Sequence, residues 1–211
     1  MVAQKVRETA RRFRAGGAVG VHHYVGDLSE RALHPTELRP FYGVFLHYLL
    51  SKDFSVKSRF YVGNLSGSDA HARNPELRAR SLQFKSHVVE LSVQAEWRVN
   101  ALQGQIFKGS LVPYLFVGGG RLVIHPHATY MGPPDEINDR LTVPLPETNL
   151  HLSAVTLLFG AGVELNWERS ASIFLEGGWR YVFSDYLDGV SKNGNQSSND
   201  WYYGLTAGIA F

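Results

Sequence analysis

The stretch that decides the fold runs from Val88 to Val99 and reads VVELSVQAEWRV. From Val89 onward every second residue is apolar, and the residues between them are polar or charged. A helix at this spacing would scatter the charges around its circumference, whereas a strand places successive side chains on opposite faces. The stretch therefore predicts a β-strand with one apolar and one polar face.

The same alternation recurs along the whole chain and defines about eight strands. The predicted strands lie near Phe13–Tyr24, Phe41–Leu50, Phe54–Asn64, Val88–Val99, Leu111–Ile124, Val155–Trp167, Ile173–Phe183 and Trp201–Phe211. The fifth strand is the hardest to phase, because the adjacent residues Leu115 and Phe116 compete for the apolar face.

The size of the apolar residues predicts which face of each strand points inward. An eight-stranded barrel has little interior volume, so large apolar side chains on the inside would overfill it. We therefore expect these side chains to face lipid, with small and charged residues filling the lumen. Aromatic residues at strand ends fit a membrane-interface girdle: Tyr24, Phe54, Trp97, Trp167, Phe183, Trp201 and Phe211. The predicted fold class is an all-β, eight-stranded antiparallel transmembrane up-and-down β-barrel.

Short and long connections alternate between the predicted strands. The links at 51–53 and 168–170 are short and that at 101–110 is moderate, whereas the others are long and polar: 25–40, 65–80, 125–149 and 184–200. This alternation is typical of outer-membrane barrels with short periplasmic turns and long outer loops. Both chain ends would then lie on the periplasmic side, and the terminal Phe211 is predicted to be an assembly signal.

The composition excludes several other classes of protein. The 211 residues suit one domain, and 21 glycines beside 12 Phe, 10 Tyr and 4 Trp favour β architecture. The net charge of +2 gives no nucleic-acid signal, and the lack of cysteine excludes disulfides and thiol nucleophiles. No apolar run approaches the roughly 18 residues that a membrane-spanning helix needs.

Basic residues cluster before the first predicted strand, and the stretch lacks the apolar core of a signal peptide. Its members include Lys5, Arg7, Arg11 and Arg12, with Arg14 close behind. We predict a basic periplasmic arm at residues 1–12 and an outer-membrane barrel at residues 13–211, numbered after signal-peptide removal. The arm either contacts phosphates or an acidic subunit, or is a solvated terminus.

Several short stretches resemble one known family. They are Tyr24–Leu28 (YVGDL), Arg39-Pro40 followed by Gly43, Leu65–Asp69 (LSGSD), Pro113–Phe116 (PYLF), and Trp179–Tyr181 (WRY) followed by Asp185–Asp188 (DYLD). In order and spacing the chain resembles the DUF6089 outer-membrane barrels of Bacteroidota, which include PorG-like components of the type IX secretion system. The segment 128–148 and the basic arm look individual to this chain. The resemblance implies an envelope barrel attached to a secretion or motility assembly, and it supplies no catalytic motif.

Charged residues on the polar faces are the first candidate site. We expect them to share the lumen: Arg59, Glu90, Gln94, Glu96, Arg98, Glu164, Glu176 and Arg180. Charges removed from bulk water must pair, so they predict an Arg–Glu plug that closes the barrel. The alternative is an ion or proton path through the lumen.

Histidine and aspartate offer weaker candidates. His125 and His127 flank a proline and present two imidazoles, but no third ligand is near in sequence, so no metal site is predicted. Asp27, Asp185 and Asp188 follow strand ends, where they either bind calcium or, as we favour, cap turns. His22 and His47 lie in predicted strands and are expected to join the polar side chains of the lumen.

No catalytic constellation is evident. A lipid hydrolase would need a serine nucleophile, a histidine and an acid at one place. The candidates are Ser66 or Ser68 with His71 or His87, and no nucleophile-elbow motif joins them. The glycines at 118–120 fall inside a predicted strand and do not form a phosphate loop. We predict a non-enzyme without cofactors that anchors an envelope complex, with lipid and other protein subunits as partners and no nucleic acid. The rivals are a small-solute pore, a lipid-modifying enzyme and a soluble barrel that binds an apolar ligand.

Overall fold

The computed structural model describes residues 12–25, 35–71, 75, 78, 81–99, 111–130, 152–166, 171–184 and 200–211. Its strands are β1 (Phe13–Val25), β2 (Arg39–Leu49), β3 (Phe54–Ser68), β4 (Leu82–Arg98), β5 (Leu111–Tyr130), β6 (Leu152–Asn166), β7 (Ser172–Val182) and β8 (Trp201–Ala210). Each strand is antiparallel to its neighbours in chain order, and β8 pairs with β1 to close the barrel. Single 3-10 turns at Pro35–Glu37 and Asp69–His71 complete the described elements. The described helices are all too short to cross a membrane.

The two ends of the barrel differ, and we name them by their connections. At the turn end, β2 and β3 are joined by Leu50–Asp53, where the Ser51 hydroxyl accepts bonds from the backbone N–H groups of Asp53 and Phe54. Phe211 lies at this end and exchanges two backbone hydrogen bonds with Ala15. The loop end is the opposite end, where β1 finishes and β2 begins. The first and last strands therefore bring both described chain ends to the turn end.

The predicted faces of the strands are confirmed. In β4 the side chains of Leu91, Val93 and Trp97 are 60%, 50% and 50% exposed, whereas Glu90 and Glu96 between them are buried. The barrel thus carries most of its large aliphatic residues on the outside and its charges inside, which reverses the arrangement of a soluble barrel.

One part of the expectation is wrong, because the lumen also holds large aromatic rings. These inward rings are Tyr24, Phe41, Phe45, Tyr61, Phe84, Tyr114, Phe116, Phe174 and Tyr202. Glycines on neighbouring strands make room for them. A Cβ atom at Gly16 would lie 2.6 Å from the ring of Phe45, and one at Gly208 would lie 2.4 Å from the ring of Phe174. Because a glycine lies beside rings such as those of Phe45 and Phe174, the narrow lumen has room for aromatic rings as well as for charged side chains.

The inward placement of rings also explains the positions of Tyr24 and Phe116. Tyr24, expected in the interface girdle, is instead fully buried, and its hydroxyl donates to Asp200 at 2.6 Å. In β5, Leu115 is exposed and Phe116 points inward, where its register partner is Gly160. The missing side chain at Gly160 decides the competition between these two residues.

Three strands extend toward the loop end by at least four residues more than the alternation indicates. β3 reaches Ser68, β4 starts at Leu82, and β5 continues to Tyr130, which makes a raised sheet. Its outward residues turn from apolar to polar above Val123, where His125 and His127 follow. Several predicted features lie outside the described residues: Lys5, Arg7, Arg11, Asp27, Trp167, Asp185 and Asp188.

Candidate functional site: the charged lumen

Glu176 on β7 lies at the centre of the lumen and accepts its shortest hydrogen bonds from β3 and β5, with a longer one of 3.5 Å from Gln94 on β4. Its Oε1 lies 2.7 Å from Lys57 Nζ and accepts a 2.7 Å bond from the Tyr114 hydroxyl. Its Oε2 accepts a hydrogen bond from the guanidinium of Arg59. Because β3, β5 and β7 are not neighbours, these contacts cross the interior of the barrel.

Glu96 forms a second cluster on β4. Its Oε1 lies 2.7 Å from Lys57 Nζ, and its Oε2 lies 2.9 Å from His47 Nε2. The Ser55 hydroxyl and the Gln94 amide each donate to this carboxylate at 2.7 Å. Lys57 therefore bridges Glu96 to the central carboxylate of Glu176, and the two clusters form one network.

Glu164 forms a further charged cluster toward the turn end. Arg14 Nη1 donates to one carboxylate oxygen and Arg98 Nη1 to the other, each at 2.7 Å. Arg14 also donates to Ser172 at 3.1 Å and to Asn166 at 3.3 Å. Sequence analysis counts Arg14 with the basic residues near the start of the chain, but its side chain is buried in the lumen from β1.

Glu90 forms another charged cluster, toward the loop end. Its Oε2 accepts bonds from Arg180 Nε at 2.9 Å and from the Tyr202 hydroxyl at 2.6 Å, and Ser92 donates to Oε1 at 2.8 Å. An apolar cluster lies beyond this group: Tyr24, Leu65, Phe84, Val88, Leu122, Ile124, Ala154, Val182 and Tyr202. The lumen thus has an apolar layer on the loop-end side of its charged residues.

Aromatic rings separate and support the buried cations. Lys57 Nζ lies 4.3 Å from the ring centroid of Phe174, and the Arg59 guanidinium lies 5.4 Å from that of Phe116. Cations over ring faces are stabilised by the ring quadrupole, more strongly where water is excluded. The carboxylates, cations and rings together form a cross-braced interior that ties non-adjacent strands to each other.

All eight residues predicted for the lumen lie inside and are buried. Sequence analysis missed Arg14, Lys57, Tyr114 and Tyr202, each of which binds one of the lumen carboxylates. Lys57 has the same strand parity as Arg59, so the alternation itself contained the signal. Tyr114 and Tyr202 were overlooked because the lumen prediction considered charged side chains, whereas a phenol also carries a hydrogen-bond donor.

The histidines expected in the lumen are both buried. His47 joins the Glu96 cluster, whereas the ring of His22 stacks on Phe41 with centroids 3.6 Å apart. Neither ring nitrogen of His22 has a hydrogen-bond partner among the described residues. Its place in the lumen therefore rests on ring packing.

The alternative chemical sites do not assemble in the described residues. The Ser66 hydroxyl accepts a bond from Arg39 at 2.7 Å, whereas His87 pairs with Asn64 on the outer wall. A Cβ atom at Gly118 would lie 2.2 Å from the backbone oxygen of Val93, so this glycine serves close strand approach. The described parts of the chain contain no group of three His, Asp or Glu side chains suited to a metal ion. Arg12, expected in the arm, is exposed and directly precedes β1.

The fold is similar to that of solved outer-membrane barrels. Neisserial surface protein A matches with a TM-score of 0.54 and 11% sequence identity, covering 94% of this chain and 95% of that one. A major outer membrane protein from Thermus thermophilus matches with a TM-score of 0.51 and 15% identity, covering 94% and 98%. At these identities the similarity shows the fold alone.

Sequence comparison gives the family. No curated protein matches the chain. The family model described as a domain of unknown function, DUF6089, matches residues 1–211. The resemblance noted in the short motifs is therefore confirmed at the family level, and this eight-stranded outer-membrane-type β-barrel belongs to the DUF6089 family.

Proposed function

We propose that the protein is a non-catalytic barrel of the bacterial outer membrane that serves as a rigid anchor for an envelope complex. The observation that carries this proposal is the network of buried ion pairs around Glu176 and Glu96, which ties β3, β4 and β7 together. A barrel cross-braced in this way is suited to holding a partner in place, because its wall resists deformation. The same network fills the space that a transport path would need.

The outer surface supports a place in the membrane. Leu91, Val93 and Leu115 belong to an outward apolar band, and Trp97 and Trp179 are half exposed on the same surface. Exposed apolar side chains on every strand would make a soluble barrel aggregate, whereas lipid covers them without cost. The matched barrels come from outer membranes, which favours that membrane for this chain.

The partner complex that we propose is one for type IX secretion or gliding in Bacteroidota. Its support is the resemblance to PorG-like members of the DUF6089 family. β1 begins directly after Arg12, at the turn end, which we place on the periplasmic side. The basic residues Lys5, Arg7 and Arg11 precede it in the sequence, and we propose them as the docking element. An acidic periplasmic subunit or lipid headgroups would match its charge.

Co-purification from native membranes in mild detergent, followed by mass spectrometry, tests the anchoring role. We expect secretion or gliding subunits at a fixed ratio to the barrel. Replacing Lys5, Arg7, Arg11 and Arg12 by glutamine should lower that recovery, whereas Lys52→Gln in the β2–β3 turn is the matched control. Equal recovery from the arm variant and the control would argue against the arm as the docking element.

Planar-bilayer recording separates the anchor from the small-solute pore. We expect no stepwise conductance from the intact protein, because Arg59, Lys57 and Glu176 occupy the centre of the lumen. Regular conductance steps would favour the pore. Incubation with labelled phospholipid and lipopolysaccharide tests the enzyme alternative, for which we expect no product.

A further inference from the structure

The raised sheet carries a pair of histidines on its outer face. His87 on β4 and His125 on β5 are direct cross-strand partners, and their ring centroids lie 6.4 Å apart with 40° between the ring planes. Both side chains are exposed, beyond the apolar band. His127 follows on the same face of β5, opposite Lys85. The fold thus places an imidazole of the neighbouring strand directly opposite His125, a pairing that the sequence motif alone did not show.

A neighbouring amide lies beside one of these rings. His87 Nδ1 lies 3.4 Å from Asn64 Oδ1 on β3, in a contact across the adjacent strand pair. An amide oxygen accepts hydrogen bonds, so the imidazole tautomer that suits this contact donates from Nδ1 and leaves the lone pair of Nε2 for a metal ion. Metal-bound histidines characteristically donate their second ring N–H to an oxygen in this way, which orients the ring and raises its basicity.

We propose that His87 and His125 form a two-histidine site for a divalent transition-metal ion of the copper, nickel or zinc class. Neutral imidazole is a preferred ligand for these ions, whereas calcium and magnesium need oxygen ligands. Solvent supplies the remaining ligands, since the described residues offer no third carboxylate or imidazole in a common group. The site lies on the outside of the barrel and goes beyond the proposed anchoring role.

The sheet makes the pair suitable for chelation. Directly opposite residues on antiparallel strands hold their Cβ atoms about 4.5–5.5 Å apart. A metal ion needs each imidazole nitrogen at about 2.0–2.1 Å, which modest side-chain rotation achieves from the observed ring spacing. The ladder between β4 and β5 extends on both sides of the pair, from Leu82–Tyr130 to Arg98–Tyr114, so the two backbones are already fixed. Little backbone entropy is therefore lost on binding.

Titration of the full chain in detergent with Cu²⁺ tests the proposal, because copper binds such sites most tightly among these ions. Calorimetry measures affinity, and pulsed electron paramagnetic resonance counts the coordinated imidazoles. We expect two imidazoles in the intact protein. His87→Gln and His125→Gln should each weaken binding by at least about tenfold and leave one imidazole, and Asn64→Ala should weaken it by about tenfold through the second ring nitrogen.

Two matched variants make the test specific. His34→Gln removes a histidine from another segment, and His127→Gln removes the neighbouring imidazole on β5. Both should leave the copper affinity and the imidazole count unchanged. Far-UV circular dichroism of each variant establishes that the barrel is folded. Unchanged copper affinity in His87→Gln, or an equal loss in His34→Gln, would overturn the proposal.

Discussion

Arg180 Nε donates a 2.9 Å hydrogen bond to Glu90 Oε2, joining β7 to β4 across the lumen over a separation of 90 residues. Both side chains are buried. Two charges removed from water stabilise a fold only as a pair, because each alone pays its full desolvation cost. Neither residue can therefore be buried at low cost unless β4 and β7 face each other across the closed barrel.

Removing Arg180 should expose this dependence. Arg180→Ala leaves Glu90 buried without its cation, and we expect it to lower the free energy of unfolding by about 3–5 kcal/mol. The measurement is urea unfolding in detergent, followed by intrinsic tryptophan fluorescence. The double variant Glu90→Gln/Arg180→Met removes both charges and should recover much of the loss.

The control for this comparison is Lys52→Ala, which removes an exposed cation in the β2–β3 turn. It should change the free energy of unfolding by less than about 0.5 kcal/mol. A loss of that small size in Arg180→Ala would contradict the plug interpretation of the lumen.

Replacing the central carboxylate of Glu176 should lower the stability of the barrel more than replacing any one of its hydrogen-bond donors. Glu176→Gln leaves Lys57 and Arg59 without this partner, whereas Tyr114→Phe removes one hydrogen bond to a charged group. We expect about 1.5–3 kcal/mol for the tyrosine variant and a larger loss for the glutamine variant. Thermal unfolding in detergent ranks the two, and the reverse order would mean that the ion pairs contribute little beyond packing.

Glycines in the wall should differ by the face on which they lie. A Cβ atom at Gly16 would approach the backbone oxygen of Ile209 to 2.0 Å, whereas one at Gly177 meets Leu205 at 3.6 Å. We expect Gly16→Ala to destabilise the barrel by about 1–3 kcal/mol. Gly177→Ala should be neutral or stabilise it by up to about 1 kcal/mol, because alanine has less freedom to lose on folding. Unfolding of the matched pair under the same conditions checks this, and similar values for both would be inconsistent with the close approach at Gly16.

The lipid-facing band should tolerate charge only near its edge. Leu91 is 60% exposed in the middle of β4, and Gln83 lies on the same face of that strand toward the loop end. We expect Leu91→Arg to cost about 2–4 kcal/mol in bilayers, and Gln83→Arg about 0–1 kcal/mol. Reversible urea unfolding in phosphatidylcholine vesicles measures both. Equal losses of stability in the two variants would mean that the lipid-facing band is not centred near Leu91.

Phe211 should matter more for assembly than for stability. Its side chain is 66% exposed, while its backbone completes the pairing of β8 with β1 at Ala15. We expect deletion of Phe211 to reduce the barrel recovered from outer membranes of expressing cells. The same variant should refold in detergent with an unfolding free energy within about 1 kcal/mol of the intact protein. If the variant also failed to refold in detergent, to the same extent as its recovery from cells fell, Phe211 would have a structural role and would not be an assembly signal.

Alternation in the sequence was enough to find all eight strands and to phase most of them. The strand ends at the loop end were missed by up to six residues, as in β4, where Leu82 replaces the expected Val88. The reason is that Phe84 and Ser86 continue the inward parity of the strand while their outward partners become polar. Once both faces vary in polarity, the period-two signal fades although the backbone pairing continues.

The sequence by itself determined the strand count, the outward apolar band and the inward parity of the charged residues, because side chains on a strand must alternate between two environments. Only the tertiary structure decided which charges meet, that Arg14 belongs to the lumen, and that rings such as Phe45 and Phe174 share it. These outcomes depend on the register and closure of the barrel, which set glycines beside rings and bring together residues such as Arg14 and Glu164 that are 150 positions apart. Such distances are fixed by eight pairings acting together, and no local pattern encodes them.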